Sequence, residues 1–156
     1  MNSIAEIAKF LKKKGEKLRP LYFEQIKAIE TKYAIQLPKV YKEFLSLMGE
    51  SAGNYMLGTS VFYDELLSLQ EWTYELIEEN SLPPLPPNSF VFWMHQGYQA
   101  AYFRTVEGDD PPVYFFSEGM KENKFILMTY SLTDFFIMQL KISFSEDNII
   151  LPQMPG

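Results

Sequence analysis

A chain of 156 residues with 47% hydrophobic and 16% aromatic residues can bury an ordinary domain core, which excludes a disordered segment and any need for stapling. It has no cysteine, so a disulfide framework, a thiolate metal site and a cysteine nucleophile are all excluded. The net charge of −6 conceals two electrical ends: residues 1–42 hold ten Lys/Arg against four Asp/Glu, and the rest hold four against sixteen, so most of the surface repels nucleic acid.

The short apolar run at the N-terminus is interrupted by Glu6 and Lys9 and followed by Lys12, Lys13 and Lys14, the wrong order for a secretory signal. No apolar stretch is long enough to span a bilayer, so the expected location is the cytoplasm, without membrane contact. Ser3 with Glu6 reads as a capping box, after which Ile4, Ile7, Ala8 and Leu11 share one helical face that Gly15 ends. Arg19-Pro20 restarts the chain. Tyr22, Ile26, Ile29 and Tyr33 form a second stripe, with Glu24, Lys27, Glu30 and Lys32 expected in solvent.

Pro38 fits the first position of a third helix, where its missing N–H costs nothing. Val40, Phe44, Leu47 and Met48, with Tyr41 and Leu45 beside them, give that helix a wide apolar face. Gly49 should end it in the left-handed conformation, and after a bend at Gly53-Asn54 the run Tyr55-Met56-Leu57-Gly58 reads as strand. Asp64 can cap a further helix that buries Leu66, Leu69, Trp72, Leu76 and Ile77. Its other side carries Glu71, Glu75, Glu78 and Glu79 with no intervening lysine; like charges at this spacing weaken a helix, so local stability does not explain them.

Pro83-Pro84-Leu85-Pro86-Pro87 is a rigid extended connector, pinned to the body by Leu82 and Phe90. Strands are expected over residues 90–94, 99–105, 113–116 and 124–129, joined by a turn at His95-Gln96-Gly97, a charged loop at Glu107-Gly108-Asp109-Asp110-Pro111-Pro112, and a turn at Ser117-Glu118-Gly119. Ser131, with Asp134 three residues on, opens a closing helix that buries Leu132, Phe135, Phe136 and Leu140; residues 148–151 in the tail from 143 suggest a small edge strand. The expectation is α+β: one domain over residues 1–156, an antiparallel sheet of four to six strands covered by helices on one side.

Little catalytic chemistry stands out. Gly49-Glu50-Ser51-Ala52-Gly53 matches a nucleophile elbow, and Asp64 and His95 follow in hydrolase order, but an elbow needs a strand before the serine and a helix after it, and here the order is reversed. His95, the only histidine, reads as a hairpin residue and cannot alone build a histidine-rich metal site. Asp109-Asp110 lacks the spaced ligands and terminal glutamate of a calcium loop, and phosphate-cradling glycine motifs are absent, so neither metal nor cofactor is expected. The lysines of the basic segment have no interleaved aromatics to read nucleic acid.

A helix ending at Tyr33, then Leu37-Pro38-x-x-Tyr41-x-x-Phe44-Leu45, Gly49 and the expected strand ending at Leu57-Gly58, resembles the SUKH superfamily, as does Ser131-Leu132-Thr133-Asp134-Phe135-Phe136 in the closing helix. The likeness spans roughly residues 20–141. The superfamily includes fungal Smi/Knr-type cell-wall regulators and many bacterial immunity proteins of polymorphic toxin systems. The resemblance implies a non-enzymatic immunity protein that neutralises a cognate secreted toxin, often a nuclease, by stoichiometric binding to its C-terminal domain. A Smi/Knr-like regulatory or scaffold domain is the alternative, and a small serine hydrolase a remote one. Carboxylates can be drawn to the basic face that a nuclease turns toward phosphates. From charge and expected exposure alone, the candidate partner-binding residues are Glu75, Glu78, Glu79, Glu107, Asp109, Asp110, Glu118 and Glu122.

Overall fold

In the computed structural model, which describes residues 1–156, five antiparallel strands in the order β3-β4-β5-β6-β7 form the main sheet. They are β3 (Thr59–Ser60), β4 (Ser89–His95), β5 (Gln99–Arg104), β6 (Val113–Ser117) and β7 (Ile126–Thr129). A second, two-stranded ribbon pairs β1 (Leu18–Arg19) with β2 (Ser51–Ala52). Six helices complete the chain: α1 (Ile4–Lys13), α2 (Phe23–Tyr33), α3 (Lys39–Met48), α4 (Tyr63–Leu66), α5 (Leu69–Glu79) and α6 (Leu132–Ser143). This is the expected α+β architecture, with a single core of 37 buried hydrophobic residues.

The helix starts follow side-chain chemistry. Ser3 Oγ accepts from the Glu6 amide at 3.2 Å, while the Glu6 carboxylate reaches back to the Asn2 amide at 3.3 Å, one residue before the expected cap. Ser131 Oγ accepts from the Asp134 amide at 3.1 Å. In α2, Gln25 Oε1 takes the Tyr22 N–H at 2.8 Å; Tyr22 itself is the cap and is 66% exposed, so it does not join the buried stripe. Pro38 is likewise the cap of α3 and not its first residue. Glu30 departs further from expectation. It is only 8% exposed because its carboxylate accepts from the Leu37 amide at 2.8 Å and faces Lys42 Nζ at 3.7 Å, tying α2 to the entry of α3.

Gly49 is needed, but for a different reason from the one its position suggests. Its φ is −64°, an ordinary right-handed value, and a Cβ there would lie 2.7 Å from the Leu45 carbonyl oxygen and 2.8 Å from Leu21 Cγ. The glycine serves close approach, letting Leu21 N–H reach the Leu45 carbonyl at 2.9 Å. Beyond it, Tyr55 to Gly58 form turns and not a strand; the ladder begins only at Thr59. Tyr55 is fully buried and donates its hydroxyl to the Phe136 carbonyl at 2.6 Å, so it fastens this loop to α6.

Rings fill the space between α3, α6 and the sheet. Phe44 stacks on Phe136 at 4.4 Å, Tyr41 sits 5.1 Å from Phe103, and Phe92 meets Phe135 edge-on at 5.2 Å. A register shift between Val91 and Trp93 breaks the strict alternation of β4, so that Phe92 and Trp93 both address Phe135 of α6. Met94 then faces the other way and meets Thr73 of α5. Helices therefore cover both faces of the sheet, where one was expected. α5 also closes an edge: Gln70 Nε2 donates to the Val91 carbonyl at 2.8 Å and Gln70 Oε1 accepts the Val91 N–H at 3.3 Å, standing in for a neighbouring strand where β3 is too short to reach.

The helical stretch after Phe62 is broken at Leu67-Ser68 into α4 and α5, with Asp64 inside the first turn of α4 and not its cap. In the tail no edge strand forms. Ile149 is buried, and Asp147 is held by Lys14 at 2.7 Å through its carboxylate and by Lys141 at 2.8 Å through its carbonyl.

Two outcomes follow from this packing. Gly49→Ala should cost about 1–3 kcal/mol, because the backbone oxygen it strikes cannot move aside, and urea unfolding would measure it. Burial pushes the Tyr41 and Tyr55 hydroxyls far above the ordinary value of 10.0. A raised native value means that the folded state keeps protons the unfolded chain releases, so their contribution is intact below pH 10.0 and is lost as pH climbs past it. An alkaline phenolate titration should show these two tyrosines ionising only together with loss of circular dichroism.

Candidate functional site

The eight candidate carboxylates fall at two ends of the sheet. Glu107, Asp109 and Asp110 lie in the loop between β5 and β6. Glu118 and Glu122 lie between β6 and β7, at the opposite end, where Asn80 Nδ2 at the close of α5 donates to Glu118 Oε1 at 3.0 Å. That contact brings them to the same end of the molecule as Glu78 and Glu79.

The first group is largely occupied with holding the fold. Asp110 accepts from the Thr133 amide at 2.9 Å and the Thr133 hydroxyl at 2.8 Å, so it caps the N-terminus of α6. The Asp109 carbonyl takes the Val40 N–H at 3.0 Å and thereby caps α3. Glu107 accepts from the Tyr114 hydroxyl at 3.1 Å. One loop thus pins the start of both central helices. Burial holds the neighbouring Asp134 carboxyl above its usual range, the Asp110 charge pushes the same way, and Ser131 opposes both by hydrogen bonding. In the second group Glu122 pairs with Lys124 at 3.5 Å, in full view of solvent.

The α5 residues differ. Glu71, Glu75, Glu78 and Glu79 are all exposed, and none forms a salt bridge with a lysine or arginine. Two aromatic residues share this surface: Trp72, expected in the core, is 37% exposed, and Tyr74 is 69% exposed. Trp72 lines a shallow groove with Glu65, Glu75 and Glu79, on the side facing the β4–β5 turn. An aromatic body ringed by carboxylates suits an arginine- or lysine-bearing surface, since the ring face and the charges attract the same cation. Helical periodicity assigned Trp72 to the buried face and so missed it; Thr73 takes the core position instead.

The residues in hydrolase order do not form an elbow. Ser51 follows a helix and pairs with Arg19 in the short antiparallel ribbon, Asp64 sits in α4, and His95 ends β4 with Nδ1 3.0 Å from Gln99 Oε1. No group of three or more His, Asp or Glu is gathered closely enough to share a metal ion. No helix is long and apolar enough to cross a membrane.

The family model described as SMI1 / KNR4 family (SUKH-1) matches residues 20–138. This chain belongs to that family. The matched stretch of this SUKH protein runs from the residue before Leu21 into α6, and so takes in the ring-packed centre, the acidic α5 and the loop that caps both helices. Comparison with curated proteins and with solved structures gives no match.

The division of the carboxylates predicts different responses to substitution. Asp110→Ala should lower stability by about 1–2 kcal/mol through loss of the α6 cap. It should also lower the Asp134 titration midpoint, seen by carboxyl-detected NMR, by removing a like charge. Glu75→Ala should leave the melting temperature unchanged.

Proposed function

We propose that this SUKH protein is an immunity protein that binds a cognate secreted toxin in the cytoplasm and neutralises it by covering its active face, without turnover. Family membership carries this reading. The surface we assign is the outer side of α5, where Glu75, Glu78 and Glu79 stand beside Trp72 and Tyr74. A nuclease domain at the toxin's C-terminus fits this surface best, because an enzyme that grips phosphates presents the basic patch to which carboxylates are steered. Glu118 and Glu122, at the same end of the molecule, would form a looser acidic rim, and Asp109, at the opposite end of the sheet, would stand outside it. Glu107 and Asp110, satisfied within the chain, would act on the interface only by fixing its scaffold. The same family match supports an alternative, a regulatory or scaffold domain that holds several endogenous proteins and protects against no toxin.

Co-expression distinguishes the two: cells carrying one specific toxin survive with this protein if the first reading holds. Replacing Glu75, Glu78 and Glu79 together by lysine should weaken capture about tenfold or more and remove most of its salt dependence, as measured by calorimetry at two ionic strengths. Capture unchanged by the triple reversal would move the interface elsewhere on the molecule.

A further inference from the structure

α6 does not cover the whole sheet. Beyond Phe136, its second half and the turn-rich 54–59 segment stand away from the strands, leaving a cleft of about 860 Å³. Sheet residues Trp93, Phe115 and Met128 form its floor, Met138 and Ile142 one wall, and Met56 with Leu57 the other. That volume lies within the range of small-molecule sites.

The lining has an unusual composition for this chain. Charged residues make up 22% of the sequence, yet none of the 15 lining residues is Lys, Arg, Asp or Glu. Three are methionines, whose flexible thioethers adapt to an apolar body and favour contact with aromatic rings. One polar side chain of the lining also has hydrogen-bonding capacity that the protein does not use. Gln139 is 5% exposed, lines the cleft, and its side-chain amide makes no hydrogen bond within the protein. An occupant bearing a carbonyl oxygen can accept the hydrogen bond that the Gln139 amide donates to no group of the protein.

We propose that this cleft binds a neutral small molecule whose flat apolar body lies against Trp93 and Phe115 and whose carbonyl-type acceptor is held by Gln139. No carboxylate, lysine or arginine of the lining offers a countercharge, and the lone histidine, His95, is engaged through Nδ1 with Gln99 Oε1 at 3.0 Å, which selects against ions because burying an unpaired charge is costly. The lack of carboxylate, lysine and arginine together with one unused amide favours such a ligand over a charged metabolite. The site is separate from the acidic face of α5 and does not rest on the toxin-binding reading.

Nile red, a neutral planar dye with a carbonyl group, is the probe, titrated into the purified full chain with fluorescence detection. Saturable one-to-one uptake is expected, with binding of the anionic dye anilinonaphthalene sulfonate about tenfold weaker or worse. Ile142→Glu and Leu57→Glu, on opposite walls, should each reduce Nile red affinity about tenfold or more; their side chains are 65% and 75% exposed, so circular dichroism should stay unchanged. Gln139→Leu should weaken Nile red while sparing a pure hydrocarbon such as pyrene, a split that a purely structural role would not give. Equal affinity for the two dyes, or insensitivity to both wall variants, overturns the proposal. So does a dimer in sedimentation velocity that Nile red fails to dissociate, which would assign the cleft to a second copy. Absence of saturable uptake, which would leave the cleft to a protein segment, overturns it as well.

Discussion

The contact on which the rest depends is the ring packing of α3 against α6 and the sheet. Phe44 on Phe136 and Tyr41 on Phe103 require three backbones to come within van der Waals reach of the same aromatic layer. That demand explains features which look unrelated along the chain. Gly49 is small because Leu21 and the Leu45 carbonyl crowd it as α3 ends. The β5–β6 loop spends Asp109 and Asp110 on helix starts, because two helices fixed by their rings need their first amides satisfied in place. The cost is visible too: Tyr41 buries its hydroxyl with no partner, and the packing tolerates that loss for the sake of the ring.

The elements with strong local signals were legible in the sequence. α1, α3 and α6 follow their apolar periodicity and serine or proline starts, and β4 to β7 appear within a residue or two of their expected bounds. Features set by distant partners were not. Two-residue strands such as β1 and β2 exist only because Leu18 and Ala52 meet across the fold, which no local pattern records. Glu30 looked solvated because its helical position is off the apolar stripe; its burial comes from the Leu37 amide seven residues away. Trp72 looked buried because hydrophobicity stood for position, although a large amphipathic ring is often left at a surface.

The same distinction runs through the candidate carboxylates. Sequence could mark them as charged and outside the apolar stripes, and on α5 that was sufficient, because a helix face already separates solvent from core. In the loops it was not. Asp110 and Glu107 are as acidic as Glu75, but their hydrogen-bond partners, Thr133 and Tyr114, become visible only when the chain is folded. The apolar cleft was wholly illegible, since its floor, walls and unused amide come from five separated stretches. The two surfaces lie close together: the acidic groove includes Ser60, Gln96 and Gly97, while the cleft includes Thr59, His95 and Tyr98. The β4–β5 turn and its short neighbour β3 therefore form a narrow divide between an acidic groove and an apolar cleft.

The glutamine that closes the side of β4 bears on how much of the protein a cell can hold. Any β-protein that accumulates in a cell is at risk of stacking strand on strand. Here one flank of the sheet offers a side-chain amide where an incoming chain would need a free main-chain ladder. The opposite flank, β7, is four residues long and bends at the irregularity beside Val113. Neither flank is a good template for growth, so high concentration need not lead to fibres.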